Sequence, residues 1–325
     1  MRAIAISRPG GPEVLTLVER ALPEPARGEV RVRVRATAVN RADLLQRMGA
    51  YPAPADSPAD IPGLEIAGEV DAVGDGVQRL RVGDRVFGLV GGGGYAEAIV
   101  THERALAVIP DGLSFEQAAA IPEAFITAHD AIVGQAGLAG GEPLLVHAVG
   151  SGVGTAAVQL GRALGAWTIG TARTADKLER AKPLGLDVGI VPDGGRFAEP
   201  VRRAAPGGAA VVLELVGGAY LDEDLRAIQT LGRIVVVGLL AGRSTQLDLN
   251  LVLGKRARIF GTTLRARPVE EKLAAMRAFE SQVVPLLGRG KLEAVIDRVM
   301  DLDQAAAAHE HMASNAGFGK IVLRV

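Results

Sequence analysis

The sequence predicts an α/β protein in two parts, a barrel-like domain of short antiparallel strands and a doubly wound parallel sheet. Three observations carry this. Residues 29–38 alternate strictly, with Val30, Val32, Val34 and Ala36 set against Arg31, Arg33 and Arg35; period two with one charged face is a half-buried strand. From about residue 125, apolar runs of strand length alternate with helix-length segments, the pattern of buried strands joined by helical crossovers. At 325 residues, the chain is too long for one small core and suits two domains.

In the first part, strands are expected at 3–7, 14–19, 29–38, 65–73, 84–89, 95–100 and 106–109. Gly and Pro clusters such as Gly91-Gly92-Gly93-Gly94 separate them. The run from Tyr51 to Pro58 carries three prolines and is expected to be an extended loop, because proline blocks helix and ladder alike. In the second part, strands are expected at 144–148, 167–171, 188–191, 210–216, 233–239 and 257–261, with helices at 152–164, 175–182 and 221–231. After residue 262 come an amphipathic helix (269–287), a strand (294–300), a helix (304–314) and a last strand (320–325). These pieces lack a core of their own and are expected to pack onto the first part. The expected division is 1–125 with 262–325, and 126–261.

Composition narrows the function classes. Hydrophobic residues are 48% and charged residues 22%, which excludes wholesale disorder. A net charge of -1 and the lack of a basic run argue against nucleic acid as a partner. The chain has no Cys, so disulfides, thiol nucleophiles and Cys-ligated zinc are excluded. Of the five His, only His309 and His311 lie close in sequence, on different faces of one helix, so no metal site is expected. No run approaches the ~20 apolar residues of a membrane helix, and the apolar run at the start is too short for a signal peptide. A cytoplasmic protein is the expectation.

The most informative stretch runs from Leu144 to Ala157. An apolar strand enters the turn Gly150-Ser151-Gly152-Val153-Gly154, which opens a helix. Small residues let a backbone approach a pyrophosphate, and a helix N-terminus offers N–H groups and a positive dipole end. The spacing G-x-G-x-x-G fails at its third glycine, where Thr155 stands. The plainer reading is a structural βα turn; the strand before, the helix after and the α/β pattern around it favour a dinucleotide site. About 20 residues on, an NAD site places a carboxylate at the next strand end. Here that end reads Thr171-Ala172-Arg173-Thr174, with Lys177 one turn later. Arg173 and Lys177 suit a 2′-phosphate, so NADPH is the expected cofactor. The alternative is that both are solvated helix-start charges, with Asp176 offsetting them.

In this order of motifs the chain resembles the medium-chain dehydrogenase/reductase superfamily, in its zinc-free quinone oxidoreductase branch. The resemblance rests on Ala38-Val39-Asn40-Arg41-Ala42-Asp43-Leu44, on Gly49-Ala50-Tyr51-Pro52 and on Ile61-Pro62-Gly63-Leu64-Glu65-Ile66-Ala67-Gly68. It continues through Ala118 to Pro122 with Thr127-Ala128, the Ser151-Gly152-Val153-Gly154 turn and Gly319-Lys320-Ile321-Val322-Leu323. It implies a GroES-like β-barrel catalytic domain plus a Rossmann domain, with nicotinamide in the cleft between them. Zinc-dependent members carry Cys where this chain has Asn40 and His where it has Leu64.

The resemblance also implies site residues. Asn40 would lie by the nicotinamide and substrate, or simply cap the helix that follows it. Thr127 would contact the nicotinamide region. Tyr51 would line the substrate pocket, its phenol able to hydrogen-bond a quinone oxygen or to donate a proton. Gly238, Leu239 and Leu240, at the end of the fifth parallel strand, would meet the nicotinamide half. Thr263 and Leu264, after the sixth, and Asn315 would reach the cofactor again. Relatives with a Tyr after the third strand differ from this chain, which reads Val191-Pro192-Asp193 there.

The function implied is NADPH-dependent reduction of quinones or other conjugated carbonyls without zinc. The alternatives are an enoyl-thioester or alkenal reductase, or an NADPH-binding sensor or RNA-associated protein with little turnover. A homodimer is implied, with the strand at 257–261 as the candidate sheet edge.

Overall fold

The computed structural model describes all 325 residues. Its strands are β1 (Arg2–Ile6), β2 (Leu15–Glu19), β3 (Glu29–Val39), β4 (Glu65–Val73), β5 (Arg85–Leu89), β6 (Ala98–His102), β7 (Leu106–Val108), β8 (Pro143–Val146), β9 (Trp167–Thr171), β10 (Val188–Ile190), β11 (Ala209–Glu214), β12 (Ile228–Val236), β13 (Arg258–Gly261), β14 (Ile296–Asp301) and β15 (Lys320–Arg324). They form two units, Met1–Ile126 with Arg265–Val325, and Thr127–Leu264.

The first unit holds a seven-stranded sheet of order β14-β15-β3-β4-β5-β7, with β6 also paired to β3. Its pairs are antiparallel except β14 with β15. Val30, Val32 and Val34 of β3 are buried, as the alternation requires. The late segments join this unit's core: Leu302, Ala305, Ala308, Ile321 and Leu323 cluster with Ala3, Val39, Leu44 and Tyr95.

The second unit holds a six-stranded parallel sheet of order β10-β9-β8-β11-β12-β13. Numbered within the unit, that order is 3-2-1-4-5-6, the doubly wound arrangement that binds dinucleotides where the order reverses. β11 is buried along its whole length, hence its unbroken apolar run up to Glu214.

The sequence and the structure differ at identifiable places. The helix expected at 269–287 is two helices, Val269–Gln282 and Val284–Gly288, because Pro285 in the second has no N–H to continue the first. The helix expected at 221–231 is Tyr220–Ala227, and β12 begins at Ile228. The helix Arg41–Arg47 follows its N-cap Asn40, whereas short helices at Ala198–Ala204 and Leu249–Lys255 had no pattern long enough to register.

Candidate active site

In the second unit, the strand order reverses between β8 and β11, and the turn leaving β8 sits at that point. Ala148 takes a left-handed backbone, φ +48°, and Ser151 N donates to Ala148 O at 2.8 Å. Ser151 caps the helix Gly152–Ala163, its Oγ accepting from Gly154 N at 3.0 Å. The N–H groups of Gly152 and Val153 then have no intrahelical acceptor, and with the positive end of the helix dipole they make an anion cradle. The close approach of helix to strand belongs to Gly154. A Cβ there would stand 2.4 Å from Ala148 O, so the glycine is needed one residue before the position that fails the motif. Thr155 instead donates its Oγ1 proton to Gly152 O at 2.9 Å.

Other expected residues of this unit gather at the same carboxyl edge of the sheet. Thr171 ends β9 and is buried; Arg173 is exposed and Lys177 half-buried. β12 stops at Val236, so Gly238, Leu239 and Leu240 lie in the loop beyond it rather than on the strand. A Cβ on Gly238 would meet Leu215 O at 2.5 Å, which only glycine avoids. Thr263 and Leu264 follow β13, and Thr262 N is tied to Val236 O at 3.0 Å. Thr127 is buried in the helix Pro122–His129. A 740 Å³ cavity lined by Arg162, Trp167 and Lys182 lies at the opposite, amino-terminal edge.

Next to the turn is a buried polar cluster whose carboxylates, Glu214 and Asp224, sequence reasoning did not single out. His147 Nε2 lies 2.7 Å from Asp224 Oδ1, and its Nδ1 lies 2.7 Å from Thr171 Oγ1. Glu214 Oε2 is 3.8 Å from His147 Nε2. All three titratable side chains are buried, among the rings of Phe197 and Tyr220. Burial pushes both carboxyls up, and it lowers the imidazole against the attraction of Glu214. The sequence signal was Glu214 closing an apolar strand.

The first unit has its own buried network. Asn40 N donates to Asp43 Oδ2 at 2.7 Å, which starts the helix Arg41–Arg47. Asn40 Nδ2 donates to Glu65 Oε1 at 2.8 Å, and Lys320 Nζ donates to Asn40 Oδ1 at 2.5 Å and Glu65 Oε1 at 2.7 Å. Glu65 Oε2 accepts Glu123 N at 2.8 Å. Burial pushes Asp43 up to about 6, against the N–H donors of Asn40 and Gly63. Tyr95 OH lies 3.1 Å from His309 Nε2, and burial pushes His309 down to about 3. Tyr51 lies under the Arg265 guanidinium, 5.2 Å from ring centroid to Cζ, and Arg265 also donates to Gln46 Oε1 at 2.6 Å. Asn315 closes the last long helix in left-handed backbone and accepts a hydrogen bond from Arg41. Glu65, Lys320 and Arg265 were missed as site residues. Glu65 and Lys320 each stand as one charge inside an apolar run, which is the signal that marks them.

Two family models match the chain: "Alcohol dehydrogenase GroES-like domain" over residues 26–111 and "Zinc-binding dehydrogenase" over residues 152–281. A quinone oxidoreductase of Pseudomonas aeruginosa is 34% identical over 316 residues, 97% of this chain and 96% of that protein. The polyketide synthase protein NorB of Streptomyces orinoci is 39% identical over 97% of this chain, which spans only 14% of its length. The polyketide synthase GfsB of Streptomyces halstedii and the erythronolide synthase EryA2 of Saccharopolyspora erythraea are spanned over 6% and 8% of theirs. Among solved structures, the Escherichia coli quinone oxidoreductase complexed with NADPH matches with a TM-score of 0.88 at 29% identity, covering both chains fully. An NAD-dependent alcohol dehydrogenase matches with a TM-score of 0.87 at 34% identity, also over both full chains.

Proposed function

The chain belongs to the quinone oxidoreductase branch of the medium-chain dehydrogenases and reductases, and from that footing we propose that it reduces quinones or other conjugated carbonyls with NADPH and without zinc. The observation that carries this is the cradle formed by Ser151 and the N–H groups of Gly152 and Val153 at the reversal of the parallel sheet.

In this reading the cradle binds the pyrophosphate, and Arg173 and Lys177 neutralise a 2′-phosphate beyond Thr171. Gly238, Leu239, Leu240, Thr127, Thr263, Leu264, Asn40 and Asn315 bound the nicotinamide half. Bound NADPH supplies a hydride from its nicotinamide. Tyr51 lines the substrate pocket, its ring held by Arg265, and the product's proton comes from water. Catalysis is then mostly positioning and exclusion of water.

The residues present do not suit a zinc ion. The chain has no Cys, and at Asn40 the amide oxygen and Glu65 already hold the ammonium of Lys320. A second cation there would face a buried like charge.

A reductase acting on enoyl thioesters is the second reading, favoured by the 39% identity to NorB. Comparing an ortho-quinone with a crotonyl thioester separates the two. A homodimer is proposed through β13, the edge of the parallel sheet; nearby Leu249 and Leu253 are 68% and 75% exposed. Light scattering that finds only monomer contradicts it. Trp167 starts β9, at the edge of the sheet away from the turn, so binding is better followed by nicotinamide fluorescence than by Trp emission. Protein that binds neither NADPH nor NADH by that signal refutes the proposed function.

A further inference from the structure

The hydride transfer proposed above makes no use of His147, Glu214 and Asp224, yet these side chains join two strand ends and a helix. His147 follows β8, Glu214 ends β11, and Asp224 lies on the helix Tyr220–Ala227. Through Thr171 the cluster also reaches the end of β9.

The hydrogen-bond count does not close if both carboxylates are ionised. Glu214 Oε2 and Asp224 Oδ2 are buried, and neither has a donor. Each orphaned oxygen carries an uncompensated desolvation penalty, and two buried like charges repel. One proton held between those two oxygens removes both costs.

We propose that Glu214 and Asp224 share one proton, and that this pair, acting through His147, positions the Thr171 hydroxyl and the Val216–Gly217 turn at the cofactor edge of the sheet. The positioning role rests on the cofactor site proposed above.

The donors run in one direction. The Glu214 carboxyl donates to Asp224 Oδ2, and His147 Nε2–H donates to Asp224 Oδ1. His147 Nδ1 then accepts the proton of Thr171 Oγ1, which leaves that hydroxyl as an acceptor only. Glu214 Oε1 accepts from Val216 N and, at 2.8 Å, from Gly217 N, which fixes the turn after β11. The other ionisable groups facing the cluster are Tyr220, across the His147 ring, and Glu223. Glu223 is committed to the N–H groups of Phe197 and Ala198, both at 2.9 Å. A divalent cation is the other species that three such ligands could hold, since they lie within 4.8 Å of one another. However, His147 Nε2 and Asp224 Oδ1 at 2.7 Å are at hydrogen-bond distance.

Burial pushes Glu214 up to about 8, so the shared proton persists through neutral pH and is lost above it. Two measurements test this. Infrared spectra of the nucleotide-free protein report a protonated carboxyl group. NADPH dissociation constants are measured across that pH value in wild type, Glu214→Gln and Asp224→Asn. In both variants a permanent N–H donor replaces the shared proton.

Wild type is expected to show the carboxyl band at neutral pH and to lose it in alkali, while both variants lack it. Wild-type affinity is expected to fall with rising pH by up to about tenfold per unit, the limit for one coupled proton. The variants are expected to vary less than about twofold over the same range. Absence of the wild-type band, an unaltered pH profile in a folded variant, or stoichiometric divalent metal in freshly purified protein overturns the proposal. Wild type that binds neither NADPH nor NADH refutes the cofactor site and the positioning role with it, while the band alone still decides the shared proton.

Discussion

Lys320 holds Asn40 by its amide oxygen, at 2.5 Å, across 280 residues of chain. The Asn40 side chain is therefore not a free acceptor: its oxygen is taken by an ammonium and its Nδ2 faces Glu65. Any contact Asn40 makes with a nicotinamide or substrate is set by this buried trio. Asn40 is also the N-cap of the helix Arg41–Arg47.

Lys320→Met should be strongly destabilising. Glu65 and Lys320 are both buried and paired at 2.7 Å. Removing one partner strands the other charge, at a cost of about 3–5 kcal/mol. The double variant Glu65→Gln, Lys320→Met should recover a substantial part of that loss. Urea denaturation of the single and double variants checks both.

Gly154→Ala should weaken cofactor binding and stability together. The added Cβ meets backbone, Ala148 O at 2.4 Å, and no flexible side chain can yield. A loss of about 1–3 kcal/mol is expected, as for overpacking elsewhere. Calorimetric melting and an NADPH titration measure the two effects. Thr155→Ala should cost less, since its hydroxyl bonds only its own helix turn.

Acid stability should depend on His309. Burial lowers it to about 3, while an unfolded His titrates near 6.5. Below about 6.5 the unfolded chain takes up a proton that the folded chain refuses, so stability falls as pH falls from there to about 3. The limiting loss is roughly 5 kcal/mol. Asp43 acts in the opposite sense: raised to about 6, it gives stability that is lost as pH rises from about 4 towards 6. In His309→Gln the acid-side loss should disappear and the unfolding midpoint move to lower pH, read by circular dichroism.

Much of the architecture was written locally. The alternation in β3 and the apolar runs of β9 and β11 mark strands by neighbours two residues apart or less. The Gly150–Gly154 turn announces itself because strand, turn and helix are contiguous. The buried networks were not legible in that way. Glu65 and Lys320 pair across 255 residues, and His147 and Asp224 across 77, so no local pattern joins them. The packing role of Gly154 was not legible for a related reason: its need for a bare Cα comes from Ala148 O, in the chain leaving the strand. The helices at Ala198–Ala204 and Leu249–Lys255 were missed because seven residues give barely two turns of periodicity.

Removing the two cations beyond β9 should separate the nucleotides. The variant Arg173→Ala, Lys177→Ala should bind NADPH at least about tenfold more weakly, as expected for losing charge-assisted contacts to a phosphate. Its NADH affinity should change little.

Loss of reduced-nicotinamide absorbance with an ortho-quinone, NADPH and NADH run in parallel on the wild-type protein, tests the proposed reductase. Rapid, quinone-dependent oxidation of NADPH is expected, and slower oxidation of NADH at equal concentration. Equal rates would contradict the roles given to Arg173 and Lys177. No quinone-dependent oxidation of either nucleotide would contradict the quinone reductase itself.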